Sequence, residues 1–327
     1  MIGCYVHHVG RGHRSRATAI AAALDEPVVG LSTLPRPANW RGEWIELPAD
    51  DDGPAPVDAD AGGRLHWAPL GHAGLRARMA RIAGWIDAAA PRALVVDVSV
   101  EVALLARLHG VPVVTIAMPG DRRDPAHELG YAISTAVIGC WPPEARGLLN
   151  AAAADRVHAV GGISRFAPAR GAGLGAGGRV LVFGGAGGDG FTADAVGRAR
   201  ASAPDWSWQH LGSSGSWSDD PWAALTAADV VVTHAGESAI AEVAAARRPA
   251  IVIPQPRPHD EQLRTAAVLA EGPWPVIALP ELPADGWPQL LERAAALDGE
   301  RWGSWDDGGG AARAAAVIAA AAGGAAR

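Results

Sequence analysis

Short apolar runs alternate with longer amphipathic stretches along most of the chain. The apolar runs are rich in Val, Ile and Leu and are bounded by polar residues, which is typical of buried strands in a parallel sheet. In the first half, the predicted strands are 2–6, 27–30, 44–47, 93–97, 111–116 and 136–140, and the predicted helices are 15–24, 75–90 and 100–109. This alternation predicts a parallel sheet covered by helices on both faces.

The same alternation begins again at residue 179. Here the predicted strands are 179–183, 206–211, 230–233, 250–253 and 276–278, and the predicted helices are 192–201, 238–246, 261–271 and 310–322. A stretch dense in Gly, Ala and Pro, 167–178, separates the halves and is typical of a linker. A chain of 327 residues is also longer than one core usually supports. We therefore predict two doubly wound α/β domains, 1–166 and 167–309.

The composition narrows the classes of function. The 28 basic and 35 acidic residues give a net charge of −7, which argues against nucleic acid or an anionic membrane as the main partner. Every basic residue is an arginine, so Schiff-base chemistry and a Walker-type phosphate lysine are excluded. The abundance of Ala, Gly and Arg resembles the coding bias of high-GC bacteria, so the Ala-rich runs carry little functional meaning.

The cysteines and the apolar runs indicate where in the cell the protein is expected. Cys4 and Cys140 are too few for a disulfide framework and are expected to be reduced core thiols. The first residues lack the pattern of a signal peptide, and no apolar run reaches membrane-spanning length. We expect a cytoplasmic protein, and a peripheral contact with a membrane-surface acceptor remains compatible with this.

The segment 234–242 carries the most specific chemical pattern of the chain. It follows the predicted strand 230–233 and opens a helix, so its unpaired N–H groups favour an anion. Gly236 allows a ligand to approach the backbone, and Ser238 offers a hydroxyl in the first turn. Glu242 lies further along, where a carboxylate can accept hydrogen bonds from a ribose diol. Together these residues predict a nucleotide-diphosphate site.

This segment resembles the donor-binding region of GT-B glycosyltransferases, which include UDP-glycosyltransferases and the N-acetylglucosaminyltransferase of peptidoglycan assembly. The matching positions are His234, Gly236, Ser238, Glu242 and the acidic-Gln pair Glu261-Gln262. The resemblance implies phosphate contacts from His234 and from the amides of Gly236, Glu237, Ser238 and Ala239. It also implies a ribose contact from Glu242 and contacts of Glu261 and Gln262 with sugar hydroxyls.

The chain departs from the plant-type signature at three positions. Glu237 stands in place of Trp, Ala239 lies near the usual Ser and Thr, and Thr265 replaces an Asn. These departures leave the sugar unspecified. The resemblance further implies two Rossmann-like domains facing a cleft in which the substrates meet, with the final helix 310–322 packing back on the first domain.

A glycine loop after the first predicted strand carries the candidate base. Gly12 and His13 lie where open α/β sheets place their ligands, and histidine suits proton transfer near neutral pH. The resemblance implies that His13 removes the proton of the acceptor hydroxyl, that Asp97 orients it, and that Gly12 belongs to the donor site. Asp97 next to His13 would fix the tautomer and stabilise the imidazolium.

Other interpretations of this region stay open. His13 could simply bond the backbone, and Asp97 or Ser99 could cap the following helix. The weaker candidates are His7 and His8, at the end of the strand, and the loop arginines Arg11, Arg14 and Arg16, which either solvate the loop or stabilise a leaving diphosphate. The spacing from Gly10 through Gly12 to Ser15 lacks the third glycine of a dinucleotide-binding loop.

Two further donor candidates lie in the second half. The loop 184–190, with Gly184 and Gly185, either lets the backbone approach the diphosphate or serves tight strand-helix packing. Trp217 precedes the helix and strand over 224–233 and either stacks on uracil or packs in the core, since the chain has 13 tryptophans.

The resulting prediction is an inverting, metal-independent glycosyltransferase that moves a sugar from a nucleotide-diphosphate donor, UDP-linked by expectation, to an acceptor hydroxyl. No cofactor is expected, and the acidic run 50–52 lies in a loop of the other domain. One alternative is a UDP-sugar epimerase using carboxylates such as Glu101, Asp121 and Glu128. Another is a non-catalytic nucleotide-sugar binder.

The acceptor is a small molecule or a lipid-linked one, and its identity is not encoded in these motifs. The region from Trp40 to Trp67, with Trp85 nearby, is expected to offer it an aromatic surface.

Overall fold

The structure is a computed structural model that describes residues 1–8, 10–53, 55–169, 178–185 and 190–324. Most of the predicted linker 167–178, and residues 186–189 of the second glycine loop, therefore lie outside the described residues. The chain forms two compact units. Unit 1 comprises Met1–Cys140, Leu149–Val160 and Ala311–Arg327, and unit 2 comprises Trp141–Leu148 and Gly161–Gly310.

Unit 1 alternates strands and helices as expected. Its strands are β1 (Ile2–Tyr5), β2 (Val28–Ser32), β3 (Glu43–Glu46), β4 (Ala93–Asp97), β5 (Val113–Ala117), β6 (Gly120–Asp121), β7 (Ala136–Gly139), β8 (Leu149–Asn150) and β9 (Val157–Ala159). Its first four helices are α1 (Arg11–Ala23), α2 (Ala73–Ala89), α3 (Val100–Leu108) and α4 (Pro125–Ile133).

Seven of these strands form one parallel sheet in the order β3-β2-β1-β4-β5-β7-β9, while β6 and β8 pair separately. Every residue of β1, β2, β4 and β5 is buried, which explains why these strands read as unbroken apolar runs. Between this sheet and its helices lies a core that includes Leu31, Ile82, Leu94 and Val113.

Unit 2 repeats the arrangement on a smaller scale. Its strands are β10 (Arg179–Phe183), β11 (Ser207–Leu211), β12 (Val230–Thr233), β13 (Ala250–Val252) and β14 (Val276–Ala278). Its helices are α5 (Ala193–Ser202), α6 (Trp222–Ala227), α7 (Glu237–Ala245), α8 (Glu261–Glu271) and α9 (Trp287–Ala295), and the last helix of the chain is α10 (Gly310–Gly324). The sheet is parallel, in the order β11-β10-β12-β13-β14.

The strand order of each sheet reverses at one point. In unit 1 the chain runs outward from β1 through β2 and β3 and then returns to place β4 on the other side of β1. Unit 2 does the same at β10 and β12. Open α/β sheets bind ligands at the carboxyl ends of the strands beside such a reversal. The topology therefore directs attention to the residues after β1 and β4, and after β10 and β12.

Several predicted boundaries were wrong, and some elements were missed. Helix α1 begins at Arg11, not near residue 15, because Gly10 turns the chain at a φ of 97°. Helix α4 was missed although Asp124 caps it and Pro125 occupies its first turn, since those residues also suit a turn. Helix α9 was missed as well, and so were the two-stranded pair β6-β8 and the short strand β9.

Candidate functional site

His13, Asp97 and Arg16 form a hydrogen-bonded group at the reversal point of unit 1, in which Asp97 and Arg16 are buried and His13 is partly exposed. His13 and Arg16 lie on the first turns of α1, and Asp97 ends β4. His13 Nδ1 donates to Asp97 Oδ2 over 2.8 Å, and Arg16 Nη2 donates to Asp97 Oδ1 over 2.7 Å. The prediction that His13 and Asp97 meet is thus confirmed in geometry, while their catalytic roles stay predictions.

Asp97 is an ionised carboxylate held in the core. Burial raises its pKa, but Arg16 and then His13 lower it more strongly, so that its pKa lies well below the usual value for aspartate. It does not cap α3, because Ser99 does so by accepting from the backbone N–H of Val102. Val98, between them, has a φ of 74°, a strained conformation for a β-branched residue.

The arrangement fixes how His13 can act. Because Nδ1 donates to Asp97, the neutral ring presents the lone pair of Nε2, which is the atom that can accept a proton. Arg16 also lies 3.1 Å from His13 Nδ1 and 3.5 Å from the sulfur of Met118. The interpretation of Arg16 as a solvating residue was therefore wrong, since only 5% of its surface is exposed.

The neighbouring candidates have different surroundings. The His7 ring stacks on His8 and lies 5.5 Å from the His13 ring, and His8 Nε2 is 3.4 Å from Asp51 Oδ2. Gly12 is a residue of α1, not of a loop, and its role at the donor stays a prediction. The side chain of Arg11 lies outside the described part of the chain.

His234 follows β12 at the reversal point of unit 2. Its Nδ1 donates to the carbonyl oxygen of Ile253 over 3.0 Å, and its ring stacks on Phe191 with centroids 3.8 Å apart. Burial lowers the pKa of His234 to about 4, and the positive charge of Arg257 contributes to this shift. His234 is therefore neutral at pH 7.

The N-terminus of α7 begins two residues after His234. Gly236 is its N-cap and, as a glycine, offers no side chain to cap it. The first turn, Glu237, Ser238 and Ala239, therefore presents backbone N–H groups that an anion can satisfy.

Gln262, at the start of α8, lies beside this turn. A Cβ placed on Gly236 would lie only 3.6 Å from Gln262 Nε2, while Gln262 Oε1 accepts from the backbone N–H of Gln255 over 3.0 Å. Gln262 is buried, whereas its neighbour Glu261 is partly exposed. The structure thus brings Gln262 and the start of α7 together, while their shared role in donor binding stays a prediction.

Glu242 is held by an arginine that the sequence did not indicate. Arg165 Nε donates to Glu242 Oε1 over 2.9 Å, Arg165 Nη2 donates to Oε2 over 3.3 Å, and Arg165 Nη1 donates to the carbonyl oxygen of Asp219. Burial raises the pKa of Glu242, while Arg165 lowers it. The alternative of a solvated glutamate was wrong, because Glu242 is 8% exposed. The only sequence signal for Arg165 is its place just before the linker.

The remaining donor candidates lie at loop positions. Gly184 and Gly185 follow β10, and the N–H of Gly184 donates to the carbonyl oxygen of Leu211. Trp217 is 45% exposed and donates from Nε1 to Asp219 Oδ1, so the alternative of a core tryptophan was wrong. Its stacking on a base stays a prediction.

The expected aromatic surface near residues 40–67 is mostly packed. Trp40 is buried edge-on against Trp44, and the indole nitrogens of Trp40 and Trp67 donate to backbone carbonyl oxygens. A small, largely apolar cavity lies instead behind the end of β4, lined among others by Val98, Met118 and Tyr131.

Among the residues of unit 1 that the structure describes, two groups contain side chains of the types that bind metal ions. His66, Asp124 and His127 form the first group, and His8, Asp50 and Asp51 the second. In the first, both imidazoles contact the carboxylate, and Arg122 approaches His127 Nε2 to 3.2 Å, where a metal-bound histidine would need an acceptor. The surroundings of this group thus fit a network of hydrogen bonds better than a metal site.

Comparison with known proteins places these features in a family context. Residues 213–272 match the description "Glycosyltransferase family 28 C-terminal domain", a range that contains His234, Gly236, Glu242 and Gln262. No curated protein sequence matches the chain.

Similar solved structures include three glycosyltransferases. The glycotransferase of kitacinnamycin is 16% identical, with 98% of each chain covered and a TM-score of 0.67. MurG of Acinetobacter baumannii is 14% identical, with 98% of this chain and 99% of that chain covered and a TM-score of 0.61. UGT89C1 of Arabidopsis thaliana, complexed with UDP, is 12% identical, with 98% and 99% covered and a TM-score of 0.64.

These likenesses confirm the fold class. The chain has the α/β GT-B architecture, with parallel sheets in both units, and the recognition of a glycosyltransferase-like sequence is confirmed. The matched domain and the fold together support glycosyl transfer as the activity. Among the described residues, no helix combines the length and the apolar character needed to cross a bilayer.

Proposed function

We propose that the chain is an inverting, metal-independent glycosyltransferase that moves a sugar from a UDP-linked donor to an acceptor hydroxyl. The observation that carries this proposal is the His13-Asp97 pair beside Arg16, in a chain whose other unit has a helix with a glycine N-cap shortly after His234. The first set is suited to taking a proton, and the second to holding a diphosphate.

The donor half rests on charge complementarity. The first-turn N–H groups of α7 would stabilise the diphosphate as it leaves, and His234, just before this turn, would contact it. Glu242 would accept from the ribose hydroxyls with the lone pairs that Arg165 leaves available. UDP is proposed as the nucleotide because UGT89C1, one of the similar structures, was solved with UDP and with UDP-L-rhamnose.

The acceptor half rests on the tautomer of His13. The acceptor oxygen attacks the anomeric carbon, the bond from that carbon to the diphosphate oxygen breaks, and the acceptor proton passes to His13 Nε2. Asp97 stabilises the imidazolium that results. A single displacement of this kind inverts the configuration at the anomeric carbon.

The proposal needs neither a metal nor another cofactor. The partial positive charge of the α7 N-terminus would take the place of the divalent cation that other transferases use. It also includes a cytoplasmic location, which the two buried cysteines, neither of them in a disulfide, support. The acceptor would be a small or lipid-linked alcohol.

The epimerase alternative has less support. Glu101 accepts from the backbone N–H groups of His66 and Trp67, Glu128 accepts from that of Ala152, and Asp121 pairs with Arg123. The carboxylates that such chemistry requires are therefore engaged in local structure.

Release of UDP from a panel of UDP-sugars, followed with and without candidate acceptor alcohols and with EDTA present, tests the proposal. We expect acceptor-dependent UDP release that EDTA does not reduce. Conversion of the UDP-sugar without acceptor would indicate the epimerase, and binding without turnover for any acceptor would indicate a non-catalytic binder. Loss of turnover in EDTA, restored by a divalent cation, would refute the metal-independent part.

A further inference from the structure

The tautomer of His234 is fixed by its surroundings. A carbonyl oxygen can only accept, so the contact between Nδ1 and the carbonyl oxygen of Ile253 places a proton on Nδ1. A ring flip would put a carbon in that position and lose the bond. Phe191 stacks against the ring at an interplanar angle of 7°, and a Cβ on Gly190 would lie 2.8 Å from His234 Cε1, so the ring is packed in place.

This tautomer conflicts with a phosphate ligand. A neutral ring protonated at Nδ1 has a bare lone pair at Nε2, for which the described residues provide no hydrogen-bond partner. The oxygens of a diphosphate are acceptors as well. Two acceptors would then face each other at the one ring atom that is available to the donor.

We propose that binding of the donor diphosphate takes up one proton from solvent at Nε2 of His234, so that an imidazolium contacts the phosphate. The inference rests on the proposed function, since it requires His234 to contact the diphosphate. Protonation keeps the bond to Ile253 and turns Nε2 into a donor, which gives two charge-assisted contacts on one ring.

The charges around the His234 ring agree with proton uptake on binding of the diphosphate. In the free protein, burial and the positive charge of Arg257 hold the ring neutral, with a pKa of about 4. Glu237 opens α7, and Asp260 and Glu261 open α8, but none of these carboxylates is among the groups that shift His234. The diphosphate would therefore bring the negative charge that raises the pKa of His234.

The coupling has a defined pH dependence. Below a pH of about 4 the free protein already carries the proton, so affinity does not change with pH there. Between that value and the higher pKa of the complex, the affinity for donor should fall about tenfold for each unit that the pH rises. Above the pKa of the complex, this dependence ends.

Calorimetric titration with UDP-glucose tests the inference. Its diphosphate is esterified at both ends, so it lacks the terminal phosphate group whose pKa is about 6. The ligand itself therefore does not contribute to the proton uptake at pH 6. The binding heat at pH 6, measured in buffers of different ionisation enthalpy, gives the number of protons taken up. We expect about one proton for the wild-type protein and about none for His234→Gln, whose amide donates without titrating.

His210→Gln is the matched control. His210 on β11 is also a histidine of unit 2 whose pKa burial lowers, but it is not a proposed phosphate ligand, so its variant should keep the wild-type uptake. Binding of UDP-glucose without proton uptake, or uptake retained in His234→Gln, would overturn the inference and leave the proposed function standing. Failure of the wild-type protein to bind either UDP-glucose or UDP would overturn both.

An NMR measurement on the wild-type protein tests the inference even if His234→Gln does not fold. The NMR shift of His234 Cε1 reports the protonation of the ring in the wild-type protein. We expect a neutral ring in the free protein and a protonated ring in the complex with UDP-glucose at pH 6. A neutral ring in the saturated complex would refute the inference.

Discussion

Replacing Asp97 by Asn perturbs the proposed base at a single atom. Asn keeps one oxygen, and the charged Arg16 guanidinium, 2.7 Å from Asp97 Oδ1, should retain it. The new amide NH2 then faces His13 Nδ1, which now donates to Asp97 Oδ2 over 2.8 Å. Two donors cannot share that contact, so the ring proton should move to Nε2, where it blocks acceptance of the proton of the acceptor.

The size of the effect follows from the role assigned to His13. General base catalysis contributes about 10²- to 10⁴-fold, or about 3 to 5 kcal/mol of barrier. Asp97→Asn should therefore lower kcat/KM by about that factor, while UDP binding at the other unit stays unchanged. The assay is UDP release with a saturating acceptor, and the ¹⁵N shifts of His13 report the tautomer.

A control separates chemistry from folding. Asp97 is 3% exposed, so its loss also affects stability, and thermal melting of each variant is needed. Asp87→Asn, on an exposed position of α2, removes the same charge without touching His13. Activity of Asp97→Asn within fivefold of the wild type, in a folded protein whose His13 tautomer has changed, would refute the assignment of His13 as base.

Three further predictions concern other parts of the structure. Glu242→Ala removes the two carboxylate oxygens that accept from Arg165 and should weaken UDP binding by about 10- to 100-fold, with exposed Glu271→Ala as control; unchanged affinity would refute the ribose assignment. Gly190→Ala places a Cβ 2.6 Å from Gln255 Nε2 and 2.8 Å from His234 Cε1, so it should lower both the melting temperature and the UDP affinity. Gly197→Ala, in an exposed turn of α5, should instead stabilise the protein by about 0.5 to 1 kcal/mol, and equal melting temperatures for the two variants would contradict this. Burial lowers the pKa of His127 from 6.5 to about 4, so between these pH values the unfolded chain binds a proton that the folded chain does not. Up to about 3 kcal/mol of the free energy of unfolding should therefore be lost as the pH falls from 6.5 to about 4. His127→Gln should flatten the plot of unfolding free energy against pH over this range, measured by denaturant titration, and an unchanged slope would argue against the shift.

Much of the fold could be predicted because the buried strands are short apolar runs. β4, β10, β12 and β14 were predicted with the bounds that the structure gives, since polar residues, glycines or prolines stand at or near their ends. The start of α1 was predicted too late because glycines favour a loop, whereas the helix begins directly after Gly10. Helix α4 opens with Asp and Pro, residues that serve turns and helix starts equally.

Candidate residues that directly follow a strand could be predicted from the sequence. The pairs that they form could not, because these depend on the order of the strands in the sheet. His13 and Asp97 meet because β4 lies beside β1, a neighbour relation that the spacing of 84 residues does not encode and that the family resemblance supplied. Arg165 reaches Glu242 across 77 residues from a segment without periodicity, so nothing in the sequence pairs them. The tautomer of His234 depends on one carbonyl group of a neighbouring strand end.

The central claim is that His13 takes the proton of the acceptor while the other unit holds the UDP-linked donor. Steady-state turnover and UDP affinity of His13→Ala, measured on the same folded preparation, test it most directly. We predict that turnover falls by about 100-fold or more while the Kd for UDP stays within twofold of the wild type. Retained turnover with intact UDP binding would contradict the account.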